Sequence, residues 1–331
     1  MEQPKEKLKL AFYWAASCGG CEIAVLEIGE KILDVVAIAD VVFWPCVADF
    51  KYKDVENYPD KYIDVCFFNG AIRNSEAEEI AHLLRRKSKV LVAYGSCAYE
   101  GCIPALANLY SKDEIFHRAY IESQSTDNPN GVLPQPHTKV NGYDLDLPVF
   151  WETVRKLSDV VPVDYFVPGC PPTEKMTWAG IEAIATGQLP PPGSVIGAGT
   201  KSVCDECPYE KKETRIKEFK RPHLFIPSNK EQCLLEQGLV CLGPATRSGC
   251  EARCLQCGMP CRGCYGPAPE VYDQGAKMLS AIGSLIDSDD EEEIKRIVDQ
   301  IPDPAGTFYR FSMAHSYLVR RKLESSKKEA L

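Results

Sequence analysis

Sixteen cysteines in a chain of 331 residues constrain this sequence more than anything else in it, and nine of them crowd between Cys204 and Cys264. In an oxidising compartment such a count reads as a disulfide framework; in a reducing one it reads as metal ligation. The segment Met1 to Leu10 is charged and runs straight into an apolar stretch. It carries neither a secretory apolar region with a small-residue cleavage site nor a paired-arginine export signal. No run approaches the roughly 18 consecutive apolar residues that a membrane span requires. The expected setting is therefore the cytoplasm, where cysteines bind metal. Lys and Arg total 38 against 47 Asp and Glu, a formal net charge of −9. A surface of that sign repels phosphate backbones, so nucleic acid is not an expected partner.

The first half alternates short apolar runs with helical patterns. Leu8 to Trp14, Asp40 to Trp44, Asp64 to Phe68, Val90 to Tyr94 and Val163 to Val167 are β-branched or aromatic, bounded by turn residues, and read as strands. Glu22 to Val36 and Ser75 to Arg86 carry apolar residues at helical spacing, and Thr173 is placed to cap a further helix with Glu174 in its first turn. The alternation predicts an α/β fold, with a flavodoxin-like parallel sheet in an N-terminal domain (1–190). Gly131 to Phe150 carries three prolines and reads as a long loop. The run Pro190-Pro191-Pro192-Gly193 breaks regular structure and marks the domain boundary. The C-terminal domain (191–331) reads as mostly irregular, with amphipathic helices at Val271 to Ile286 and Glu291 to Ile301 and a charged tail from Arg320. Its cysteine-rich part offers few periodic apolar segments, so metal ligation is expected to supply much of its stability.

Three cysteine-bearing segments in the first half share one layout. A strand leads into Cys18-Gly19-Gly20-Cys21, another into Gly95-Ser96-Cys97, a third into Pro168-Gly169-Cys170. Ligands of open parallel sheets bind outside the carboxyl ends of the strands, so these four thiols are expected to converge. Four thiolates can hold one [4Fe–4S] cluster, one sulfur per iron, and the adjoining glycines let backbone approach it. Farther on come Cys204 and Cys207, Cys233 and Cys241, Cys250 and Cys254, and Cys261 and Cys264. These eight thiols suffice for two more four-thiolate sites. Spacing alone leaves zinc as a rival, because zinc sites built from four cysteines use the same CxxC element.

At these residues the sequence resembles a known family. Cys18-Gly19-Gly20-Cys21-Glu22, Gly95-Ser96-Cys97-Ala98 and Pro168-Gly169-Cys170-Pro171-Pro172 are similar to the proximal-cluster motifs of nickel–iron hydrogenase small subunits. The run Gly249-Cys250-Glu251-Ala252-Arg253-Cys254, followed by Met259-Pro260-Cys261-Arg262-Gly263-Cys264, resembles the cytoplasmic methanogen-type group. Within it the likeness is greatest to the methyl-viologen-reducing, non-deazaflavin-reducing small subunit. The resemblance extends from about Lys7 to about Gly266.

It implies three [4Fe–4S] clusters: a proximal one on Cys18, Cys21, Cys97 and Cys170, a medial one on Cys250, Cys254, Cys261 and Cys264, and a distal one on Cys204, Cys207, Cys233 and Cys241. It also implies a nickel–iron large subunit that oxidises hydrogen, with a small iron–sulfur adaptor subunit and a heterodisulfide reductase downstream. The chain alone would have no hydrogenase activity. Periplasmic members have His where Cys204 stands, and a three-iron medial cluster where Cys254 offers a fourth thiolate. Thiolate in place of imidazole adds negative charge and should lower the potential.

Rival readings are the small subunit of a deazaflavin-reducing hydrogenase, a respiratory complex I-type cluster subunit, and a zinc-stapled adaptor without redox function. The complex I type generally pairs adjacent cysteines, which this chain lacks.

Four cysteines remain. Cys66 lies in a strand and is expected to be a small buried apolar residue. Cys46 follows a strand end and is a candidate neighbour of the first site. Cys102 is expected to have no ligand role, and Cys257 competes with Cys254 as fourth medial ligand. Glu22 has two readings of equal weight: a proton relay, as the resemblance implies, or a carboxylate complementing a helix N-terminus. The five histidines show no ligand spacing and are expected on the surface or in loops.

Overall fold

The computed structural model describes residues 7–212, 215–224 and 231–321. Its central sheet has five strands, β1 (Leu8–Trp14), β2 (Ala39–Phe43), β3 (Ile63–Asn69), β4 (Ser88–Tyr94) and β5 (Tyr165–Val167). They lie in the order β2-β1-β3-β4-β5, and every pairing is parallel. This is the flavodoxin-like order that the alternation of elements predicts.

Period-two alternation decides which side chains go where. Leu10 and Phe12, Val65 and Phe67, Val92 and Tyr94 enter one apolar cluster with Val25, Val35, Met176 and Ile181 from the helices above. The intervening Ala11 and Tyr13, Cys66 and Phe68, Leu91 and Ala93 enter the opposite cluster with Ile80, Ala81 and Leu84. Cys66 is fully buried there, as a small apolar residue should be.

The helix expected over Glu22 to Val36 is two helices, α1 (Gly20–Leu26) and α2 (Ile32–Ile38), with a 3-10 turn between them. Gly29, at φ +65, is the break: its left-handed backbone cannot continue a helix. Helix α3 (Ser75–Lys87) is capped by Asn74, with Glu76 and Glu78 in its first turn and Arg85 to Lys87 in its last. A short α4 (Ser96–Glu100) follows β4, and α5 (Glu174–Thr186) starts at the Thr173 cap.

The loop expected from Gly131 to Phe150 contains an antiparallel hairpin, His137–Val140 with Tyr143–Asp146. Asn141 and Gly142 both have positive φ, the turn that an Asn-Gly pair favours. Beyond it, Phe150–Arg155 pairs with Ile72–Asn74.

The C-terminal half packs more apolar surface than its sparse periodicity predicts. Val203, Ile216, Leu234, Leu239, Leu242 and Leu255 form a cluster with Met278, Ile282, Ile297 and Phe308. Two helices, α6 (Gln274–Gly283) and α7 (Glu291–Val298), flank it, as their amphipathic patterns predict. Leu234, Leu239 and Leu242 sit in irregular loops, so no helical or strand period betrays them. Among the described residues no helix is long and apolar enough to cross a membrane.

Four of the five histidines are exposed; His315 is not. Its ring lies 5.7 Å from that of Tyr99 and 5.2 Å from that of Tyr272, and burial lowers its pKa.

Candidate iron–sulfur sites

The first site is built where three strands end. Gly95 N donates to Val167 O at 2.7 Å and Ser96 N to Gly169 O at 2.8 Å, so the loops after β4 and β5 extend the sheet ladder. From β1 the chain crosses to Gly19 and turns into α1, which carries Cys21. The packing is tight enough to dictate residue type. A Cβ on Gly95 would stand 2.3 Å from the Cys21 sulfur, and its φ of +83 is also one that glycine tolerates best. Burial first, then Cys97, Cys170, Cys18 and Glu22, pushes the Cys21 thiol well above its ordinary range. Cys97, Cys170 and Cys18 thus lie near enough to Cys21 to act on its charge.

Sequence reasoning did not place a fifth thiol here. Cys102 is fully buried, and the electrostatics of its thiol are dominated by Cys170 and Cys97. Those two residues, then burial, hold its pKa far above normal, while Cys102 in turn lowers that of Cys170. Its signal was spacing: Cys102 follows Cys97 across one turn of α4 and the Gly101 bend.

Cys170 also borders the second site. It lines a cavity of about 230 Å3 together with Cys250, Cys254, Cys261 and Cys264. Cys257 is not in that lining and is exposed. The chain wraps the cavity through consecutive left-handed residues, Glu251 at φ 57 and Ala252 at φ 51, before the short helix Arg253–Gln256 presents Cys254. Two ion pairs tie this wrap to the start of α5, Arg253 with Glu174 at 2.7 Å and Lys175 with Glu251. Burial, then Cys250, Cys254 and Cys170, pushes Cys264 up to about 12.

Between these two sites lies a buried polar seam that the motifs did not announce. Ser96 Oγ donates to Cys264 O at 2.7 Å and accepts from Gly169 N at 3.1 Å. Glu100 is fully buried beside Gly266, where an added Cβ would collide with its Oε1. Burial pushes its carboxyl well above the ordinary range.

The third site borders a cavity of about 530 Å3 lined by Cys204, Cys207, Cys233 and Cys241, with Lys211 and Arg215 on its wall. A Cβ on Gly243 would lie 3.2 Å from the Cys204 sulfur and 3.7 Å from that of Cys241. Cys204 is pushed up to about 11, chiefly by burial, with Lys211 acting against it. Cys261 N donates to the Cys241 sulfur at 3.3 Å, so the second and third sites touch through one hydrogen bond.

The donor sets fit polynuclear clusters. Cys204, Cys207, Cys233 and Cys241 border a cavity at the third site, and the cysteines of the second border another. Each set faces a space wider than one ion fills, whereas a zinc ion draws its sulfurs to about 2.3 Å from one centre.

Glu22 is buried, in the first turn of α1. Its carboxylate accepts from the Trp44 indole, from Asn69 Nδ2 at 3.1 Å and from Cys46 Sγ at 3.3 Å. Cys46 therefore neighbours Glu22, and burial followed by Glu22 pushes its thiol up to about 11.

Comparison with known proteins places the chain. Residues 18–184 match the family described as NADH ubiquinone oxidoreductase, 20 Kd subunit. The iron–sulfur subunit of an F420-non-reducing hydrogenase from Archaeoglobus profundus is 43% identical over 322 residues, 96% of this chain and 99% of the relative. The chain belongs to this hydrogenase subunit family. The corresponding F420-non-reducing hydrogenase subunit of Methanothermobacter thermautotrophicus is 38% identical over 98% of this chain and 99% of its own length. A NAD+-reducing [NiFe]-hydrogenase structure in the H2-reduced state is similar at 25% identity and TM-score 0.48, over 56% of this chain and 94% of that one.

Membership makes the chain a component of an oxidoreductase complex, of the non-deazaflavin-reducing type that its motifs resemble. Kinship with complex I-type subunits is also closer than cysteine spacing implies. The matched stretch of that family spans all three loops of the first site, although this chain spaces its cysteines apart.

Proposed function

We propose that this chain is the electron relay of a cytoplasmic nickel–iron hydrogenase, with three [4Fe–4S] clusters in line. Cys18, Cys21, Cys97 and Cys170 would hold the proximal one, Cys250, Cys254, Cys261 and Cys264 the medial one, and Cys204, Cys207, Cys233 and Cys241 the distal one. When bound, such clusters take up and release single electrons. The observation that carries this reading is the continuity of the three thiol groups: Cys170 borders the second cavity, and the Cys261 amide donates a hydrogen bond to the Cys241 sulfur. Cys254 is preferred over Cys257 because it lines the cavity.

The large subunit would dock at the Cys18 end. Cys18 is exposed, and Trp14, Ile23 and Leu26 beside it are large apolar residues left 43%, 56% and 51% accessible. Such residues in a group suit burial against a partner. Glu22, held by three donors just behind Cys18, is the candidate proton relay toward that interface. The third site would face the acceptor side, a small iron–sulfur adaptor subunit and a heterodisulfide reductase. We read residues 1–190 as the flavodoxin-like domain and 191–331 as the cluster-bearing one.

Anaerobic purification of the whole complex, with iron, sulfide, nickel and zinc counted, tests the reading. About twelve irons per chain with equal sulfide are expected for three cubanes. Zinc without acid-labile sulfide would overturn it in favour of the stapled adaptor. Replacement of Cys97 by Ala should remove the proximal signal and uncouple hydrogen oxidation from dye reduction.

A further inference from the structure

The hairpin His137–Val140 with Tyr143–Asp146 has two unlike faces. Its register sets His137 opposite Asp146 and Lys139 opposite Asp144, and these four residues share one face. There His137 Nδ1 lies 2.6 Å from Asp146 Oδ1, and Lys139 Nζ lies 3.3 Å from Asp144 Oδ1. Cross-strand pairs complete that face from within. The opposite face sets Thr138 against Leu145 and Val140 against Tyr143. It is apolar and open: Val140, Tyr143 and Leu145 are 47%, 73% and 48% exposed, and every strand residue of the hairpin is exposed. Among the described residues no third strand joins it. A lone two-stranded hairpin is marginally stable in water at best, and a layer over its apolar side is what secures it.

We propose that this face is the outlying part of the surface that docks the nickel–iron large subunit, the hairpin acting as an arm that the partner covers. The proposal rests on the reading that the large subunit docks at the Cys18 end. Two observations select that occupant. The first is the path between the two places. At the hairpin foot Ser75 N donates to Val149 O at 2.9 Å and Val149 N to Ser75 Oγ at 3.0 Å. Strand Ile72–Asn74 leads from there to Ala71, which is bridged to Ala16, two residues before Cys18. Leu147 and Val149, 52% and 39% exposed, prolong the apolar surface toward that foot. The second observation is size. Three large side chains offer on the order of a few hundred Å2, whereas a stable interface takes about 800 Å2 from each partner. The face is too small to hold a second copy of this chain by itself, and it suits the extension of a larger contact.

The test uses the intact complex, with a benzophenone photo-crosslinking side chain placed at Tyr143 or, separately, at Leu26 beside Cys18. Products are identified by mass spectrometry. The probe at Tyr143 should join the large subunit. A product with a second copy of this chain or with any other subunit overturns the proposal, and so does the absence of a product. Failure of the underlying reading looks different: the probe at Leu26 would then miss the large subunit. In a binding titration, Tyr143→Ser combined with Leu145→Ser should weaken large-subunit association by about tenfold or more. Lys139→Ala, on the charged face, should change it by less than about threefold. Equal effects of the two variants, each with a parent-like circular dichroism spectrum, overturn the proposal.

Discussion

The proposed proximal site and the two proposed C-terminal sites would use the same ligand chemistry on opposite kinds of scaffold. The first hangs from a five-stranded parallel sheet whose ladder continues into the ligand loops. The other two are wrapped by turns, 3-10 segments and left-handed residues, with one short helix, Arg253–Gln256, among them. Hydrogen bonding of the sheet pre-positions four sulfurs at no further conformational cost. Loops have no such ladder, and their order must come from apolar packing beneath and from whatever the thiols bind. A shared inventory of cysteines therefore conceals two different dependences on metal.

Removal of iron should break the comparison most visibly. Stripped anaerobically, the chain should keep amide protection in β1, β3 and β4, while the loops from Val203 to Tyr209 and from Leu239 to Tyr265 exchange faster by about a hundredfold or more. Equal loss in both halves, measured by hydrogen exchange, would erase the distinction.

Next in size is Leu234→Ala. This residue is 1% exposed in the C-terminal core, so truncation should cost about 2–4 kcal/mol in thermal or denaturant unfolding of the loaded protein. A negligible change would return the stability of that half to the metal alone.

Two glycines sharpen the comparison further. Gly95→Ala meets both a sulfur at 2.3 Å and a positive φ, and should cost about 2–3 kcal/mol along with the proximal iron. Gly243→Ala meets the Cys204 sulfur at 3.2 Å without an unfavourable φ, and should cost about 1 kcal/mol or less, distal iron being retained. Comparable losses in the two variants would mean that the loop site is as rigid as the sheet site.

The smallest effect belongs to the surface. Arg253→Ala breaks an ion pair whose partners are 49% and 44% exposed, so solvent screening limits it to about 0.5 kcal/mol or less. Arg253 holds the Glu174 carboxyl below its ordinary range. The contribution is present at neutral pH and is lost as acid is added from about pH 4.3 downward. Unfolding midpoints of parent and variant should accordingly converge in acid.

The sheet was legible because its signals are local and periodic. Leu8 to Trp14 is a strand by alternation alone, and the carboxyl-end rule then brings Cys18, Cys21, Cys97 and Cys170 together. The break at Gly29 was obscured by apolar residues that keep helical spacing on both sides of it. The hairpin at Asn141-Gly142 was there to be read, its turn pair hidden among prolines. Burial of Leu234, Leu239 and Leu242 follows no period, so their packing appears only once the chain is folded. Ser96, Glu100 and Cys102 stood beside a recognised motif, but what they touch comes from segments up to 168 residues away, as with Ser96 and Cys264.

The bond from the Cys261 amide to the Cys241 sulfur carries one more implication. On the proposed assignment, a sulfur of the outermost station would be solvated by a peptide group belonging to the one before it. An electron arriving inward of that peptide would then alter the field felt by the next station before it moves on. The two stations would then be coupled batteries with a common terminal, and their voltages should be measured as a pair.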